Sequence, residues 1–406
     1  ALPICSLNMA DVARLIPTLA EDQHRLAVVG GLILFIVFGI KAAMLPVGFW
    51  LPKTYAVAAT PVAAIFTIMT KVGIYAILRV NGTVFDDELS QKILSNWLLP
   101  IGLITSLYGV IGAIGAERLR RFVGFMMLSS IGTILIAIAL FSTQAWTAAL
   151  YYLVHSTLIA AAFYLFCGWV TAQRGEFKDH FNIAPQMKQH KVMSITYLLI
   201  ALMIAGLPPF SGFLGKVFLL QATADASYQG IIIAVVLLVG LLSILALTRV
   251  GFILFWRASR PEDDPDNDAY HSYQALPAKA PKGNDKAIYL LLAALVAYVV
   301  FANPIQRYAF STAQQMQNNR LYEMAVLKQD ETGQVISVQP YDPNYLPETK
   351  YSGEKPDPNA KLIPYVISPN TLEGEHISDY KQRQINQQIE QDAASDDLPQ
   401  LKPMEP

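Results

Sequence analysis

Charge is scarce in this chain, cysteine scarcer still, and its long apolar runs contain no carboxylate at all. Charged residues make up 15% of the 406 residues and hydrophobic ones 53%, whereas a soluble domain carries roughly 25% charge. A water-facing exterior on every side is therefore excluded. The deficit is uneven: from Asn303 onward there are 9 Lys and Arg against 15 Asp and Glu. The net charge of −1 thus conceals an apolar, mildly basic body and a polar, acidic tail. A polytopic membrane protein with a hydrophilic tail fits this balance. The two cysteines, Cys5 and Cys167, suit neither a disulfide staple nor a metal site. With no Gly-rich phosphate loop, Cys/His cluster or activated nucleophile, no catalytic residue, cofactor, bound metal or nucleic-acid partner is expected. The opening Ala1-Leu2-Pro3 carries no signal-peptide pattern, and a start lying upstream is expected.

What is present is a series of apolar stretches long enough, at about 20 residues each, to cross a bilayer. Eight are expected: Leu26 to Trp50, Val57 to Val80, Trp97 to Ala116, Phe122 to Phe141, Trp146 to Val170, Val192 to Gln221, Gly230 to Trp256 and the short Ala287 to Ala302. Gly109, Gly112 and Gly115 suit close helix contact in lipid. The expected organisation is an outer loop over 1–25, a membrane domain over 26–302, a post-membrane segment over 303–328 and a polar tail over 329–406. That tail is expected to be largely disordered, being rich in Pro, Gln, Asn and acids. The stretch Pro261 to Asp285 reads as a solvated linker. Alternate loops hold 13 Lys and Arg on one side (among them Lys53, Arg118, Arg120, Arg121, Arg174, Lys178 and Lys191) against Arg14, Arg25 and Lys92 on the other. The basic set is expected on the cytoplasmic face, which puts both chain ends on the outer, periplasmic face of a bacterial inner membrane.

Ionisable groups at membrane depth are costly and are functional candidates for that reason. Lys41 follows fifteen uncharged residues, Lys71 lies mid-span, His155 stands beside Ser156 and Thr157, and Lys216 lies in the second half of an interrupted span. Arg249 is expected at the interface. Two stretches combine such a lysine with helix breakers: Lys41-Ala-Ala-Met-Leu-Pro46-Val-Gly-Phe-Trp-Leu-Pro52, and Gly206-Leu-Pro208-Pro209-Phe-Ser-Gly212-Phe-Leu-Gly-Lys216. Proline removes a donor and frees a carbonyl, which is tolerable in a membrane only where protein or trapped water satisfies it. Two such breaks in spans of opposite direction point to inverted repeats with an ion pathway near the midplane. Desolvation disfavours an ammonium, so a buried lysine can take up and release a proton. A row of Lys41, Lys71, His155 and Lys216, bridged by water and hydroxyls, would then relay protons along the membrane plane. Its counter-anions must come from upstream residues or another subunit.

The runs "KAAMLPVGFWLP" (Lys41 to Pro52), "TKVGIYAILRV" (Thr70 to Val80) and "GLPPFSGFLGK" (Gly206 to Lys216), with "YYLVHSTL" around His155, resemble the D-type subunit of the multi-subunit Mrp-type cation/proton antiporters. That subunit is similar to the antiporter-like subunits of respiratory complex I, and the likeness spans about Ser6 to Leu327. It implies an all-α fold of about fourteen helices with two inverted five-helix repeats and two discontinuous helices, of which this chain would be the C-terminal part. Lys41 and Lys216 would be the lysines of the two broken helices, Lys71 that of the helix after the first, and His155 that of the histidine-bearing helix. The implied function is exchange of Na+ or K+ for H+ within a hetero-oligomer. Many relatives place a lysine five residues after the histidine, where this sequence has Ala160. Two other readings stand beside this one: a proton-pumping subunit of a complex I or membrane hydrogenase assembly, and a non-transporting assembly component.

Overall fold

The computed structural model describes residues 8–85, 88–182, 184, 186–224, 226, 228–257, 284–318, 322 and 326. The expected linker, most of the segment beyond Gln317 and the whole 329–406 tail lie outside the described residues. Within them the chain is helical: α1 (Met9–Leu15), α2 (Glu21–Ala42), α3 (Trp50–Val57), α4 (Thr60–Thr83), α5 (Glu88–Ile114), α6 (Leu119–Ala139), α7 (Thr143–Arg174), α8 (His190–Ala205), α9 (Ser211–Gln221), α10 (Gln229–Gly251), α11 (Asn284–Val300) and α12 (Ala302–Gln317). Six of these (α2, α4, α5, α6, α7 and α10) are long and apolar enough to cross a membrane, and α11 with α12 forms a seventh, bent pair. The expected span Val192 to Gln221 is shared between α8 and α9, neither long enough alone.

Boundaries differ from the expected ones where backbone chemistry overrides hydropathy. The first span, expected to run from Leu26 to Trp50, ends as a helix at Ala42. Ala43 adopts a left-handed φ of 60° and donates back to Gly39 and Ile40. Pro52, expected as a breaker, instead sits in the first turn of α3, where a missing N–H costs nothing. Lys53 consequently lies on α3 rather than in a loop. The 1–25 stretch, expected as a loop, contains α1, a 3-10 turn over Ile16–Thr18 and the start of α2. The 303–328 segment opens with α12, which leaves α11 at 80°.

α6 is the centre of the bundle: 94% of its most apolar 18 residues are buried, against 22% for α2 and 33% for α10. Its tightest neighbour is α5, and glycine makes that approach possible. A Cβ on Gly109 or Gly132 would collide with the backbone of Ser129 or Ser106 respectively, and one on Gly112 with the Phe125 ring. Gly102, unnoticed in the sequence, packs against Ile136 in the same seam. Gly115 makes no close interhelical approach, because it lies past the end of α5.

The two ends of the bundle differ in charge. At one end the α5–α6 and α7–α8 loops join: Phe181 donates to Glu117, Leu119 to the Asp179 carbonyl, and Arg174 to the carbonyls of His180 and Asn182. Arg249, which is exposed, caps the C-terminus of α5 by donating to the Ile114 carbonyl at 2.6 Å. At the other end Ile16 packs with Val84 and Phe85, and Thr143 donates to Gln317 of α12 at 2.5 Å. The first helix and the last therefore meet the same end of the bundle.

Candidate functional site

Two broken helices frame the site, and the same physical problem is solved at each. In a continuous helix Ala205 would accept from the N–H of residue 209, but Pro209 has none. α8 instead stops at Gly206, which takes a φ of 74° and donates to Leu202. The exposed Ala205 carbonyl is claimed by Lys216, whose Nζ donates to it at 2.8 Å from one turn and a half into α9. A cation at the negative end of a helix is favourably placed. At the first break the downstream side chain is neutral: Trp50 Nε1 donates to the Ile40 carbonyl at 3.1 Å, and the Leu45 N–H is taken by Thr105 Oγ1 of α5 at 3.1 Å.

His155 lies midway along α7 and is 1% exposed. Its Nδ1 is 2.8 Å from Ser211 Oγ, the first residue of α9. The histidine therefore ties α7 to the downstream side of the second break, with the Met203 carbonyl of α8 close by. Gly212 permits this contact, since a Cβ there would meet the Met203 carbonyl and His155 Nε2. The Tyr152 ring stands 5.6 Å from the imidazole.

Lys71, on α4, is 3% exposed and its Nζ has no hydrogen-bond partner among the described residues. Lys71 lines a groove against Leu153, Val154 and Thr157 of α7, the helix that carries His155. Beside His155 and Lys216 is a cavity of about 40 Å³ lined by Ser129, Ser130, Thr133 and Ser156. That is room for about three waters, with these hydroxyls set among apolar side chains such as Met126, Phe163 and Ile204. Lys41 ends α2 and reaches this system through backbone packing, because Gly73 of α4 abuts the main chain of Lys41 and Ala42. Its side chain, expected to be buried, is exposed on the surface of this chain, for nothing among the described residues covers that face of α2.

The structure thus brings His155 and Lys216 together at the second break, sets Lys71 against α7 in a separate groove and leaves Lys41 at the rim. Pro46, Pro208, Pro209 and Gly206 all fall inside the breaks. Sequence reasoning missed Ser211, Tyr152 and the α6 hydroxyls. Ser129, Ser130 and Thr133 are nonetheless visible as polar residues at helical spacing in an apolar span. Arg79, also passed over, stacks on the Tyr322 ring at 4.4 Å.

Residues 6–242 match the family model described as NADH:quinone oxidoreductase/Mrp antiporter, transmembrane. Among curated proteins, the chain is 34% identical over 283 residues to a probable D-type K+/H+ antiporter subunit of Rhizobium meliloti, covering 62% of this chain and 52% of that one. It is 30% identical over 328 residues to the D-type Na+/H+ antiporter subunit of Bacillus subtilis, covering 80% of this chain and 62% of that one. Among solved structures it resembles a chain of the Mrp complex from Dietzia sp. DQ12-45-1b, with a TM-score of 0.65, 25% identity and coverage of 80% and 65% respectively. The chain therefore spans 52–62% of the length of these curated relatives. With its apolar helices and this match over more than half its residues, the chain is a multi-pass membrane protein that belongs to the transmembrane family shared by NADH:quinone oxidoreductases and Mrp antiporters.

Proposed function

We propose that this chain is a membrane subunit of a multi-subunit Na+ (or K+)/H+ antiporter, in which Lys41, Lys71, His155 and Lys216 carry protons coupled to cation exchange. It is a component of a secondary transporter and not an enzyme. One observation carries the reading: His155 and Lys216, from separate helices, meet beside a cavity that four hydroxyls help to line, with Lys216 seated on a carbonyl laid bare by a helix break and a further buried amine, Lys71, set against the same α7. Curated relatives named as D-type antiporter subunits support the assignment.

Buried cations need anions, and this chain has no Asp or Glu within its apolar spans. The outward face of α2 presents Leu26, Val29, Ile33 and Val37 together with Lys41. That face is read as the seat of another polypeptide of the assembly, one that brings a carboxylate to Lys41. Lys71 opens onto a largely apolar groove of about 360 Å³ between α4 and α7, where a second acceptor would sit. Lys71→Met tests the role of the unpartnered amine. Exchanging a buried, unpaired charge for an apolar chain of similar length leaves assembly intact or improved. Exchange measured in vesicles is expected to fall by about 10²-fold, and unimpaired exchange would contradict the reading.

The bias of basic loops supports a bacterial inner-membrane location with the Arg118 to Lys191 end inside. A cysteine replacing exposed Gln314 on α12 is then expected to react with an impermeant thiol reagent added outside intact cells. One replacing Lys178 should react only after permeabilisation, and the opposite pattern would invert the topology.

A further inference from the structure

A larger cavity than the one beside His155 lies on the other side of the second break. It is an open groove of about 460 Å³ between α8 and α10, and its lining is overwhelmingly apolar. It runs from His190 and Trp256 at the basic end to Ala205 and Leu207 at the second helix break. Along α8 this is about 22 Å, more than the roughly 15 Å of one hydrocarbon leaflet.

Local chemistry makes the hollow. Ala201 and Ala205 leave space where larger side chains would fill it, and Gly251 lets the Tyr197 ring lie close against α10. The floor is Tyr197, pinned by its hydroxyl to the Leu247 carbonyl at 2.6 Å, with Phe255 beside it at a ring separation of 5.5 Å. At the mouth α10 widens into a π turn over Phe252–Trp256, a feature often found at functional sites. The rim is lipid-facing in character, with Ile195, Leu198 and Trp256 exposed.

The mouth carries positive charge. Exposed Lys191 follows His190 and exposed Arg257 follows Trp256, and the His190 and Phe255 rings stand 5.7 Å apart, which holds the two chain segments together. Buried at the same point, His190 Nδ1 has no hydrogen-bond partner among the described residues. We infer that this groove is a binding site for one anionic phospholipid, with an acyl chain along α8 and α10 and the phosphate at His190, Lys191 and Arg257. In a bilayer the tail gains little from apolar contact, since neighbouring lipid is equally apolar. Selectivity must therefore come from the headgroup, at about a five-fold preference per basic residue near the surface.

The test is native mass spectrometry of the assembled complex carrying this chain, delipidated and then offered phosphatidylglycerol or phosphatidylcholine with identical chains. The wild type is expected to retain one more phosphatidylglycerol than an Ala201→Trp variant, whose indole fills the groove; Ala201→Leu serves if the larger residue impairs assembly. The double variant Lys191→Ala/Arg257→Ala should lose about 25-fold in preference for phosphatidylglycerol over phosphatidylcholine. Equal retention of both lipids by the wild type would overturn the inference, as would identical lipid counts with the groove filled. So would loss of a neighbouring subunit in the filled variant, which would make the groove a protein interface.

Discussion

Lys216→Ala in the assembled complex is expected to abolish cation/proton exchange while subunit stoichiometry is kept. Two effects combine in that substitution. The Ala205 carbonyl loses its donor, at about 1–3 kcal/mol for an orphaned buried acceptor, and the exchangeable proton at the second break disappears, at about 10²-fold or more in rate. Lys216→Arg separates them. Guanidinium can still donate to the Ala205 carbonyl, but it does not give up its proton. The Arg variant is therefore expected to match the wild type in thermal stability and the Ala variant in exchange, read as Na+- or K+-dependent collapse of a pH gradient in inverted vesicles. An Arg variant with full exchange would reduce Lys216 to a helix cap.

Gly132→Val carries the largest expected cost to the fold itself. The glycine faces the Ser106 backbone in the seam between α5 and α6, where no Cβ fits. Backbone has no rotamer with which to yield, so the helices must part. Overpacking of this kind costs about 1–3 kcal/mol and occasionally more. Separation would also displace Ser129, Ser130 and Thr133, which line the cavity beside His155 from the same helix. Lower yield of assembled complex and a lower melting temperature are expected. The equivalent change at Gly30, which has open space around it, should leave the fold of this chain unaffected. Equal stability of the Gly132 and Gly30 variants would refute the seam.

Much of this architecture is legible because membrane depth is an unforgiving solvent. Apolar runs of the required length announce their helices, and Pro208-Pro209 announces a break because two consecutive N–H groups are missing. Lys216, eleven residues past Ala205, then has the reach to take the carbonyl that Pro209 leaves empty. The exposure of Lys41 is not legible, since hydropathy reports that a residue lies in an apolar stretch and not which face its neighbours cover. α3 is hidden for a related reason: Pro52 looks like a breaker anywhere except in a first turn. The bend between α11 and α12 is marked by Asn303-Pro304, but α12 itself is hidden, because its alternation of Ala309, Ala313 and Met316 inside with Arg307 and Tyr308 outside lacks the apolar length of a span. Ser211 becomes visible as a partner of His155 only once two segments 56 positions apart are brought to 2.8 Å.

If Lys71 and Lys216 serve one route through His155, removing either should disable it and removing both should do no further harm, because residues acting as a unit are strongly non-additive. Exchange rates of Lys71→Met, Lys216→Ala and the double variant, measured in the same vesicle preparation, test this most directly. A double variant no slower than the slower single variant is the predicted result. Losses that multiply, or a single variant that still exchanges at the wild-type rate, would mean that these amines do not share a proton path.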